Sequence, residues 1–447
     1  MKPDIAYQPD SGKSGWVGIL SERHPNPALK ADREADYCVV GAGFAGLAAA
    51  RRILLLNPKA SVVILEATQV GSGPAGRNSG FMIDLPHVLS SSSYAGETGT
   101  DRRDIKLNRR AIDFVNNMVC EFKMPEESFR AEGKINGAAS QKGLRANNEY
   151  AEHLDKLGEP CELLDKQTME SITGSSYYLG GLHSPGCAMI QPAMLVQGIA
   201  GGLSAYENCR IYEQTQVQAI HKQGDRWNLS TPGGSVLANK VILAVNGFVE
   251  NFGYYQRRLM HITLYASMTR ELTAGELADL GGEERWGITP SNPFGSTVRK
   301  ISDSGGHRLL IRNRFSYDPS LTLIDNQIEA AEADHLSAFV ARFPMLSHVP
   351  MEYRWSGRLC LSRNHVWALG EVAENLYSAC CQNGLGATKG IIAGIIAAEL
   401  ASECKVNSMM PEFQTGEIPQ KLLLEPFMTK GARVYLKLRE WQAGKDK

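Results

Sequence analysis

Near the start of the chain, two short apolar runs flank a stretch of helix-forming residues. Residues 36–40 form an apolar run that ends before a glycine, and residues 61–65 form a second run rich in β-branched side chains. Both patterns are typical of buried strands. Residues 45–56 are rich in Ala, Leu and Arg and stop at Asn57-Pro58, which predicts a helix. A strand, a helix and a strand within about 30 residues form a βαβ unit, whose two strands are parallel.

Two later segments have the pattern of further strands of the same sheet. Residues 240–245 are an apolar run followed by Asn246, and residues 366–370 and 376–379 form another pair of runs. A helix is predicted over 387–402, shortly after the last run. Strands that are buried on both faces are almost continuously apolar, so we expect these segments to extend the sheet of the βαβ unit.

The regions between these blocks predict a second unit. They contain two helical stretches, 104–122 and 327–343, and two β-rich stretches, 259–271 and 306–315. The predicted fold class is α/β, with a Rossmann-type nucleotide-binding domain interleaved with an α+β substrate domain built on an antiparallel sheet. The predicted boundaries are 31–90, 181–250 and 351–405 for the nucleotide-binding domain, 91–180 and 251–350 for the substrate domain, and 406–447 for a C-terminal tail that packs as a helix.

The composition is that of a soluble globular protein. Of the 447 residues, 43% are apolar and 21% are charged, and the formal net charge is −1. A chain this close to neutrality has no overall field that would attract nucleic acid or an anionic membrane. No stretch approaches the roughly 20 apolar residues of a membrane span. The polar residues 1–30, which are broken by prolines, predict a surface arm and not a signal peptide.

The nine cysteines are scattered along the chain, and no C-x-x-C pair occurs. This pattern argues against a disulfide framework, a zinc site and a dithiol redox centre. We therefore expect no metal in this protein, and a reducing cytoplasm as its natural setting.

The turn after the first strand has the glycine spacing of a dinucleotide-binding site. Gly41 allows the tight turn, Gly43 lets the backbone approach a pyrophosphate, and Gly46 lets the helix pack closely on the strand. Phe44 and Ala45 begin the helix, whose N terminus presents unpaired N–H groups to the phosphates.

An acidic residue in the expected place strengthens this interpretation. Glu66 ends the second strand, 20 residues after Gly46, where its carboxylate can accept both hydroxyls of a ribose. Such an acid favours an unphosphorylated ribose, which means FAD or NAD. A reductase that draws on NAD(P)H would carry a second fingerprint, and the sequence contains none. At this point an NAD-dependent Rossmann dehydrogenase remains an alternative.

A glycine-rich stretch follows the acid, Gly73-Pro74-Ala75-Gly76-Arg77-Asn78-Ser79-Gly80. It resembles the stretch ending in Gly-Arg-Asn-Gly-Gly of the D-amino-acid oxidase family of FAD enzymes, which includes glycine, sarcosine and γ-glutamylputrescine oxidases. The resemblance implies that FAD is the cofactor. It also implies that the end of this stretch lines the pyrophosphate and the flavin, through Gly76, Arg77, Asn78, Ser79 and Gly80.

The resemblance extends over about residues 30–400. Residues 215–220 are similar to the family's strand whose central residue, here Val217, offers its backbone to adenine. Ala67, after the ribose-binding acid, and Asn246 belong to the cofactor-binding set that the resemblance implies. In the family, a glycine turn after the last strand of the FAD-binding sheet leads into a helix whose N terminus points at the flavin. The residues similar to that turn are Gly384, Leu385, Gly386, Ala387 and Thr388. Leu385 stands where a histidine is common in the family.

The resemblance implies an oxidoreductase that oxidises a C–N bond of a small amine or amino acid. In the family a hydride passes from the carbon bearing the amine to the flavin N5, and water hydrolyses the resulting imine. The γ-glutamylputrescine oxidases are the most similar branch. A flavin-binding subunit without catalytic activity remains a second alternative. The residues leave open whether oxygen or another acceptor takes the electrons, which amine is oxidised, and the oligomeric state.

Three residues of the predicted substrate domain are candidates for substrate contacts. Arg312 and Arg314 alternate along a predicted strand and are expected to share one face. The resemblance places this region over the flavin, where a cation can hold a substrate carboxylate. His261 lies near the start of a strand expected to form the floor of the site. His87 follows the glycine-rich stretch 73–80 that the resemblance places at the flavin. Both histidines are also compatible with structural roles.

Cys360 is the candidate for a covalent bond to flavin, because some relatives of sarcosine oxidase attach their flavin through a cysteine in this region. The alternative is an inert cysteine in a buried strand. In the tail, 422–441 combines aromatic and basic residues. It is interpreted as a helix that packs on the protein's own FAD-binding domain, with a membrane-surface helix as the alternative.

Overall fold

The computed structural model describes residues 5–10, 12–86, 94–321, 325–403, 408–413, 416–425 and 427–447. The α-helices in these residues are α1 (Gly15–Gly18), α2 (Phe44–Leu56), α3 (Thr98–Glu121), α4 (Gln141–Leu157), α5 (Lys166–Thr173), α6 (Pro192–Ser204), α7 (Ala274–Leu280), α8 (Asp325–Arg342), α9 (Gly386–Ser402) and α10 (Phe427–Ala443).

The β-strands of the described residues form three sheets. They are β1 (Arg33–Val40), β2 (Val62–Leu65), β3 (Phe81–Met82), β4 (Phe129–Arg130), β5 (Lys134–Ala138), β6 (Glu162–Leu164), β7 (Gly180–Ser184), β8 (Ala188–Ile190), β9 (Cys209–Tyr212), β10 (Ala219–Gln223), β11 (Arg226–Thr231), β12 (Gly234–Leu243), β13 (Leu259–Thr269), β14 (Trp286–Pro290), β15 (Thr297–Asp303), β16 (Gly306–Tyr317), β17 (Met351–Ser362), β18 (Ala368–Ala373) and β19 (Leu376–Cys380).

The first sheet is built around the predicted βαβ unit of β1, α2 and β2. β1 lies between β2 and β12 and is parallel to both, and β9 pairs in parallel with β2. β19 is parallel to β12, while β10, β11 and β18 join by antiparallel pairing. The strands predicted over 240–245, 366–370 and 376–379 are therefore confirmed as members of this sheet, as parts of β12, β18 and β19.

The second sheet has the strand order β17-β13-β16-β15-β14-β5-β7-β6. Its neighbours are antiparallel except for β14 and β5, so the predicted second, mainly antiparallel sheet is confirmed. β7 and β17 belong to this sheet, although the predicted boundaries put 181–250 and 351–405 in the nucleotide-binding domain. A local apolar pattern predicts a strand without saying which sheet it joins, and the division into domains therefore stays a prediction.

Helices α2 and α9 pack against each other beside the first sheet. A Cβ atom at Gly394 would lie 2.1 Å from the carbonyl oxygen of Ala45, so glycine is required for this close approach. The apolar residues 391–398 of α9 are buried, as predicted. Because β1 and β19 run in the same direction, the helices that follow them both begin at the carboxyl edge of the sheet.

The N-terminal arm, which we define as residues 5–30, is not the surface segment that its polarity predicted. Trp16 is fully buried, and Leu29 is 3% exposed. Trp16 donates its indole N–H to the carbonyl oxygen of Asn78 (2.7 Å) and accepts from Gln191 Nε2 at its own carbonyl (2.8 Å). The prediction was wrong because the few apolar residues of the arm lack periodicity, although they are buried in the fold.

The C-terminal tail, predicted over 406–447, contains α10. Leu436 and Ala443 are buried in a cluster with Ile262, Phe294 and Tyr317, which places α10 on the second sheet. The same cluster also includes Leu359 and Leu361 of β17, which the predicted boundaries put in the FAD-binding domain, so the expected contact with that domain stays a prediction. An apolar helix face can be buried against either sheet, and the sequence of the helix alone does not indicate which one.

In the described part of the chain, the helices all fall short of the length and apolarity that crossing a membrane requires. The described cysteines are free. Within the same residues, His, Cys, Asp and Glu side chains form no group of three or more that could hold a metal ion.

Candidate functional site

A long cavity opens at the carboxyl edge of the first sheet, where ligands bind in α/β folds of this type. The glycine turn after β1 forms part of its wall. Gly41 has φ +99°, and a Cβ atom there would lie 2.6 Å from the carbonyl oxygen of Ala244. A Cβ at Gly46 would lie 1.8 Å from the carbonyl oxygen of Gly41. The turn therefore has the compact shape that a pyrophosphate-binding loop needs, and side chains would destroy it.

Helix α2 begins at this turn and faces the cavity. Gly43 precedes the helix without a side-chain cap, and the backbone at the start of a helix has N–H groups with no partner inside the helix. Gly43, Phe44 and Ala45 all line the cavity. The N terminus of α2 thus offers backbone donors and a partial positive charge to a diphosphate, which fits the central part of a dinucleotide.

Glu66 lies at the end of β2 and also lines the cavity. Its Oε2 accepts the N–H of Ala42 (2.9 Å), and its Oε1 accepts both the N–H and the hydroxyl of Thr68 (3.0 Å each). These bonds fix the carboxylate in one orientation. The chemistry of this acceptor, next to the glycine turn, fits the ribose of an adenosine without a 2′-phosphate.

The Gly-Arg-Asn loop, which we define as residues 73–80, is held rigid by hydrogen bonds from its own side chains. Arg77 Nε donates to the carbonyl of Ser72 (2.6 Å), and Asn78 Nδ2 donates to the carbonyl of Ala75 (2.7 Å). From the second sheet, the indole N–H of Trp355 donates to the carbonyl of Arg77 (2.9 Å). Burial lowers the pKa of Arg77, while the nearby Asp10 opposes this shift. The loop is a preformed wall that brings a buried cation to the cavity.

The start of helix α9 forms a further part of the cavity wall. Gly384, Gly386 and Ala387 line the cavity at the start of the helix. Leu385 packs instead against an apolar cluster that contains Phe81. The positive end of the α9 dipole therefore points at this part of the cavity, where it would stabilise negative charge on a reduced flavin.

Most of the predicted cofactor-binding residues are brought together at the cavity. Those that line it are Gly41, Gly43, Phe44, Ala45, Glu66, Ala67, Arg77, Asn78, Ser79, Val217, Asn246, Gly384, Gly386 and Ala387. Those outside its lining are Gly46, Gly76, Gly80, Leu385 and Thr388.

The three glycines outside the lining serve the packing of the walls. Gly46 lies against Gly41, as described above, and a Cβ at Gly76 would lie 1.9 Å from the carbonyl oxygen of Gly71. A Cβ at Gly80 would lie 2.0 Å from the guanidinium of Arg299. A glycine motif in a sequence does not distinguish close packing within the protein from close approach to a ligand.

Val217 reaches the cavity from a different local structure than predicted. Residues 215–218 are not a strand; β10 begins at Ala219. Gln218 donates its N–H to the carbonyl of Ser230 (2.8 Å) and accepts at its own carbonyl from the N–H of Ile5 (2.8 Å). These two bonds hold the segment between β11 and the N-terminal arm.

Arg312 and Arg314 do not share a face of β16. The pairing of β13 with β16 shifts between Leu264 and Tyr265, so that Arg314 is left at a bulge, with φ +51°. Arg314 turns away to an ion pair with Asp334 (2.8 Å). Arg312 lines the cavity. The expectation of alternation was wrong because a bulge changes the direction of the strand's side chains.

Arg312 is a cation at the end of the cavity formed by the second sheet. Its Nη2 donates to the hydroxyl of Thr297 (3.1 Å), and its guanidinium lies 5.6 Å from the centroid of the Phe315 ring. Burial lowers the pKa of Arg312 to about 10, which leaves the side chain charged at neutral pH. Among the described residues, no carboxylate forms an ion pair with Arg312.

His261 also lines the cavity, and its ring has a defined partner. Nε2 lies 2.7 Å from Glu250 Oε2. Nδ1 is buried without a hydrogen-bond partner among the described residues, close to Gly247, where a Cβ would lie 2.7 Å from it. If the carboxylate accepts the Nε2 proton, Nδ1 is left as an acceptor beside the cavity wall. His87 lies outside the described residues.

Cys360 is buried and does not belong to the cavity lining. Its thiol donates to Asn246 Oδ1 (3.0 Å). A hydrogen bond with the Cys381 thiol, followed by burial, raises the pKa of Cys360 well above its usual value. A thiol held in this way is a poor nucleophile. The structure thus does not bring this cysteine to the cavity, and covalent attachment of flavin stays a prediction.

Several lining residues were missed by the sequence analysis. Tyr265 and Leu264 of β13, Arg358 of β17 and Gln382 before α9 all line the cavity. They carry no motif, since they come from long strands and loops whose contact with the cavity depends on tertiary packing. The N-terminal arm also contributes residues to the lining, which its polar sequence did not indicate.

Comparison with known proteins agrees with this geometry. Residues 36–400 match the model of the DAO family, described as FAD dependent oxidoreductase. Gamma-glutamylputrescine oxidoreductase of Escherichia coli is 25% identical over 404 residues, which cover 87% of this chain and 88% of the relative.

Solved structures show the same fold. Glycine oxidase from Geobacillus kaustophilus superimposes with a TM-score of 0.69 at 18% identity, covering 86% of this chain and 100% of the other. L-proline dehydrogenase from P. horikoshii superimposes with a TM-score of 0.64 at 15% identity, covering 83% and 94%. The family match decides against both alternatives left open by the sequence, an NAD-dependent dehydrogenase and a non-catalytic flavin-binding subunit. The chain belongs to the DAO family of FAD-dependent oxidoreductases.

Proposed function

We propose that this enzyme oxidises the C–N bond of a small amine or amino acid that carries a negatively charged group. FAD, when bound, supplies the acceptor for the hydride that leaves the carbon bearing the amine; the resulting imine is then hydrolysed by water. The names of the relatives support the reaction class, because they include an oxidoreductase of γ-glutamylputrescine and an oxidase of glycine. The residues of this chain would bind and orient the substrate.

Arg312 is the observation that carries the proposal. It is a half-buried cation that lines the cavity, without a carboxylate partner among the described residues. Removing a charge from water is unfavourable unless a partner of opposite sign compensates it. A carboxylate of the substrate would be that partner, and a bidentate contact would orient the amine end relative to the flavin.

His261 would act as a second positioning residue at the same wall. Its Nε2 is held by Glu250 (2.7 Å), and its buried Nδ1 packs beside Gly247, so the ring has one orientation at the cavity wall. Tyr265, which also lines the cavity, is fixed because its hydroxyl donates to Gln327 Oε1 (2.6 Å) and shares a second hydrogen bond with the Ser316 hydroxyl (2.7 Å). Rigid side chains of this kind keep a substrate in one orientation during hydride transfer.

The proposal is tested by comparing Arg312→Ala with Arg314→Ala. A panel of amines, with glycine and γ-glutamylputrescine among them, is first screened by peroxide release and by reduction of an artificial electron acceptor. For an acidic substrate found in this way, Arg312→Ala is expected to lower kcat/KM about 10- to 100-fold, because a charge-assisted contact contributes about 1.5–3 kcal/mol. Arg314→Ala is the matched control, since that arginine is paired with Asp334 away from the cavity.

Substrate analogues separate a clamp from a structural effect. An amine of the same length without the carboxylate should be oxidised equally by the wild type and by Arg312→Ala. Arg312→Lys should recover part of the loss, because it restores the charge but not the bidentate geometry. Unchanged kcat/KM for the acidic substrate in Arg312→Ala would refute the clamp, and an FAD-loaded protein inactive on every amine would refute the reaction class.

A further inference from the structure

The N-terminal arm reaches the cofactor cavity. Ile5, Ala6 and Tyr7 line it, although they lie outside residues 36–400, which match the family. The arm is thus a wall of the cavity that the family resemblance did not indicate.

The arm lies beside the segment that contains Val217. Ile5 donates its N–H to the carbonyl of Gln218 (2.8 Å) and accepts at its own carbonyl from Gln216 Nε2 (2.9 Å). Ile5 and Val217 belong to one buried apolar cluster, and both line the cavity. Since Glu66 lies at the same end, the arm closes the part of the cavity suited to an adenosine.

Tyr7 lies next to the acid that fits a ribose. Its ring packs against Phe248, with the centroids 5.0 Å apart and the planes tilted by 59°. Burial, together with the neighbouring carboxylates of Glu66 and Asp10, raises the pKa of Tyr7, whose hydroxyl also interacts with Thr68. The phenol therefore stays neutral and can donate a hydrogen bond in the cavity that it lines together with Glu66.

Two arginines hold the arm in place. Arg358 Nη1 donates to the carbonyl of Gln8 (2.7 Å), and Arg77 Nη2 donates to the carbonyl of Gly12. Between these contacts, the carboxylate of Asp10 lies 3.3 Å from Arg358 Nε and 3.9 Å from Arg77 Nε. Both arginines line the cavity, and the side chain of Asp10 is 2% exposed. The arm and the cofactor cavity are therefore coupled through shared cations.

We propose that residues 5–10 form a clasp over the adenosine half of FAD, in which Tyr7 shares the ribose with Glu66. The Arg358–Asp10–Arg77 contacts hold the clasp closed. FAD leaves only when these contacts open, so the arm controls the affinity and the release rate of the cofactor.

The test compares two flavins on the apoprotein. FMN has the flavin but no adenosine, so it serves as the probe that cannot reach the clasp. Flavin fluorescence measures the dissociation constants of FAD and FMN for the wild type, Tyr7→Ala and Tyr7→Phe. Tyr7→Ala should raise the dissociation constant of FAD about 10-fold or more and change that of FMN by less than about twofold. Tyr7→Phe loses only one hydrogen bond and should raise the dissociation constant of FAD about threefold.

Tyr435→Ala is the matched control, because this tyrosine lies on α10 and is 49% exposed. It should change neither dissociation constant. Asp10→Asn should accelerate FAD release upon dilution without changing the release of FMN. Unchanged FAD affinity in Tyr7→Ala, or equal weakening of FAD and FMN, would overturn the clasp. If Tyr7→Ala does not fold, Tyr7→Phe decides, since unchanged FAD affinity in that variant would overturn the ribose contact.

Discussion

The two ends of the chain lie outside the family-matched residues and are built in opposite ways. The N-terminal arm has almost no regular structure and is polar, yet Trp16 is fully buried. The C-terminal tail forms a regular helix with an apolar pattern, yet Trp441 is 78% exposed. The polar sequence of the arm therefore did not indicate its buried residues, whereas the amphipathic pattern of the tail did indicate a helix, part of which is exposed.

Each end is anchored by a buried aspartate. The partners of the two aspartates show which part of the molecule each end is attached to. Asp10 contacts Arg77 and Arg358, which line the cofactor cavity. Asp446 accepts from the N–H of Ala139 (2.7 Å) and the hydroxyl of Ser140 (2.8 Å) at the second sheet. Burial raises the pKa of both carboxyl groups. The arm is thus tied to the site, and the tail is tied to the scaffold.

Exchange of the two tryptophans for alanine is expected to show the largest contrast. Trp16→Ala removes a fully buried indole and its bond to Asn78, and should cost about 3–5 kcal/mol of unfolding free energy. Trp441→Ala removes an exposed ring and should cost less than about 0.5 kcal/mol. Urea denaturation of both variants measures the contrast, and equal losses would refute the burial of the arm.

The free energy of unfolding, measured against pH, tests the burial of a histidine beside the second sheet, to which the tail is attached. Burial lowers the pKa of His335 on α8 to about 3, and its Nδ1 lies 2.8 Å from the Ser267 hydroxyl. Below the unfolded pKa of about 6.5, the unfolded chain binds a proton that the folded protein does not. Stability should therefore fall as the pH decreases from 6.5 towards 3, with a loss of about 2 kcal/mol at pH 5.

The matched variant for this titration is His335→Asn, which keeps a polar atom near the position of Nδ1. The slope of unfolding free energy against pH should flatten in this variant between pH 6.5 and 5. A slope equal to that of the wild type would assign the acid sensitivity to other groups.

Substitution of the tail aspartate is expected to have the smallest effect of the three. Asp446→Ala leaves the N–H of Ala139 without its partner, which should cost about 1–2 kcal/mol. Neither the dissociation constant nor the release rate of FAD should change, whereas Asp10→Asn is expected to accelerate FAD release. Asp446→Asn keeps an acceptor and should recover most of the loss. A weakened FAD complex in Asp446→Ala would break the distinction between the two ends.

The nucleotide-binding unit was the part most accessible to prediction. The glycines of the β1–α2 turn, Glu66 and the length of α2 are local features, and local sterics and spacing determine them. The later strands β12 and β19 of the same sheet were also predicted, because their apolar runs match strands that are buried on both faces. Even here, Val217 was assigned to a strand that begins two residues later.

The substrate side was less accessible, because its residues are brought together by long-range pairing. The expected alternation of Arg312 and Arg314 failed at a bulge between β13 and β16, which shows only in the register of the two strands. Cys360 fell in the predicted region, but its thiol points to Asn246 and not into the cavity. Side-chain direction at such points depends on the partner strand.

The sequence by itself determined the fold class, the dinucleotide-binding turn and, through the Gly76-Arg77-Asn78 stretch, the resemblance to FAD enzymes. These follow from backbone sterics and short-range spacing, which a chain carries wherever it lies. Only the tertiary structure decided which arginine faces the cavity and that the polar arm lies against it. Both depend on contacts between residues far apart in the chain, whose energy comes from burial and from partners that a local pattern does not name.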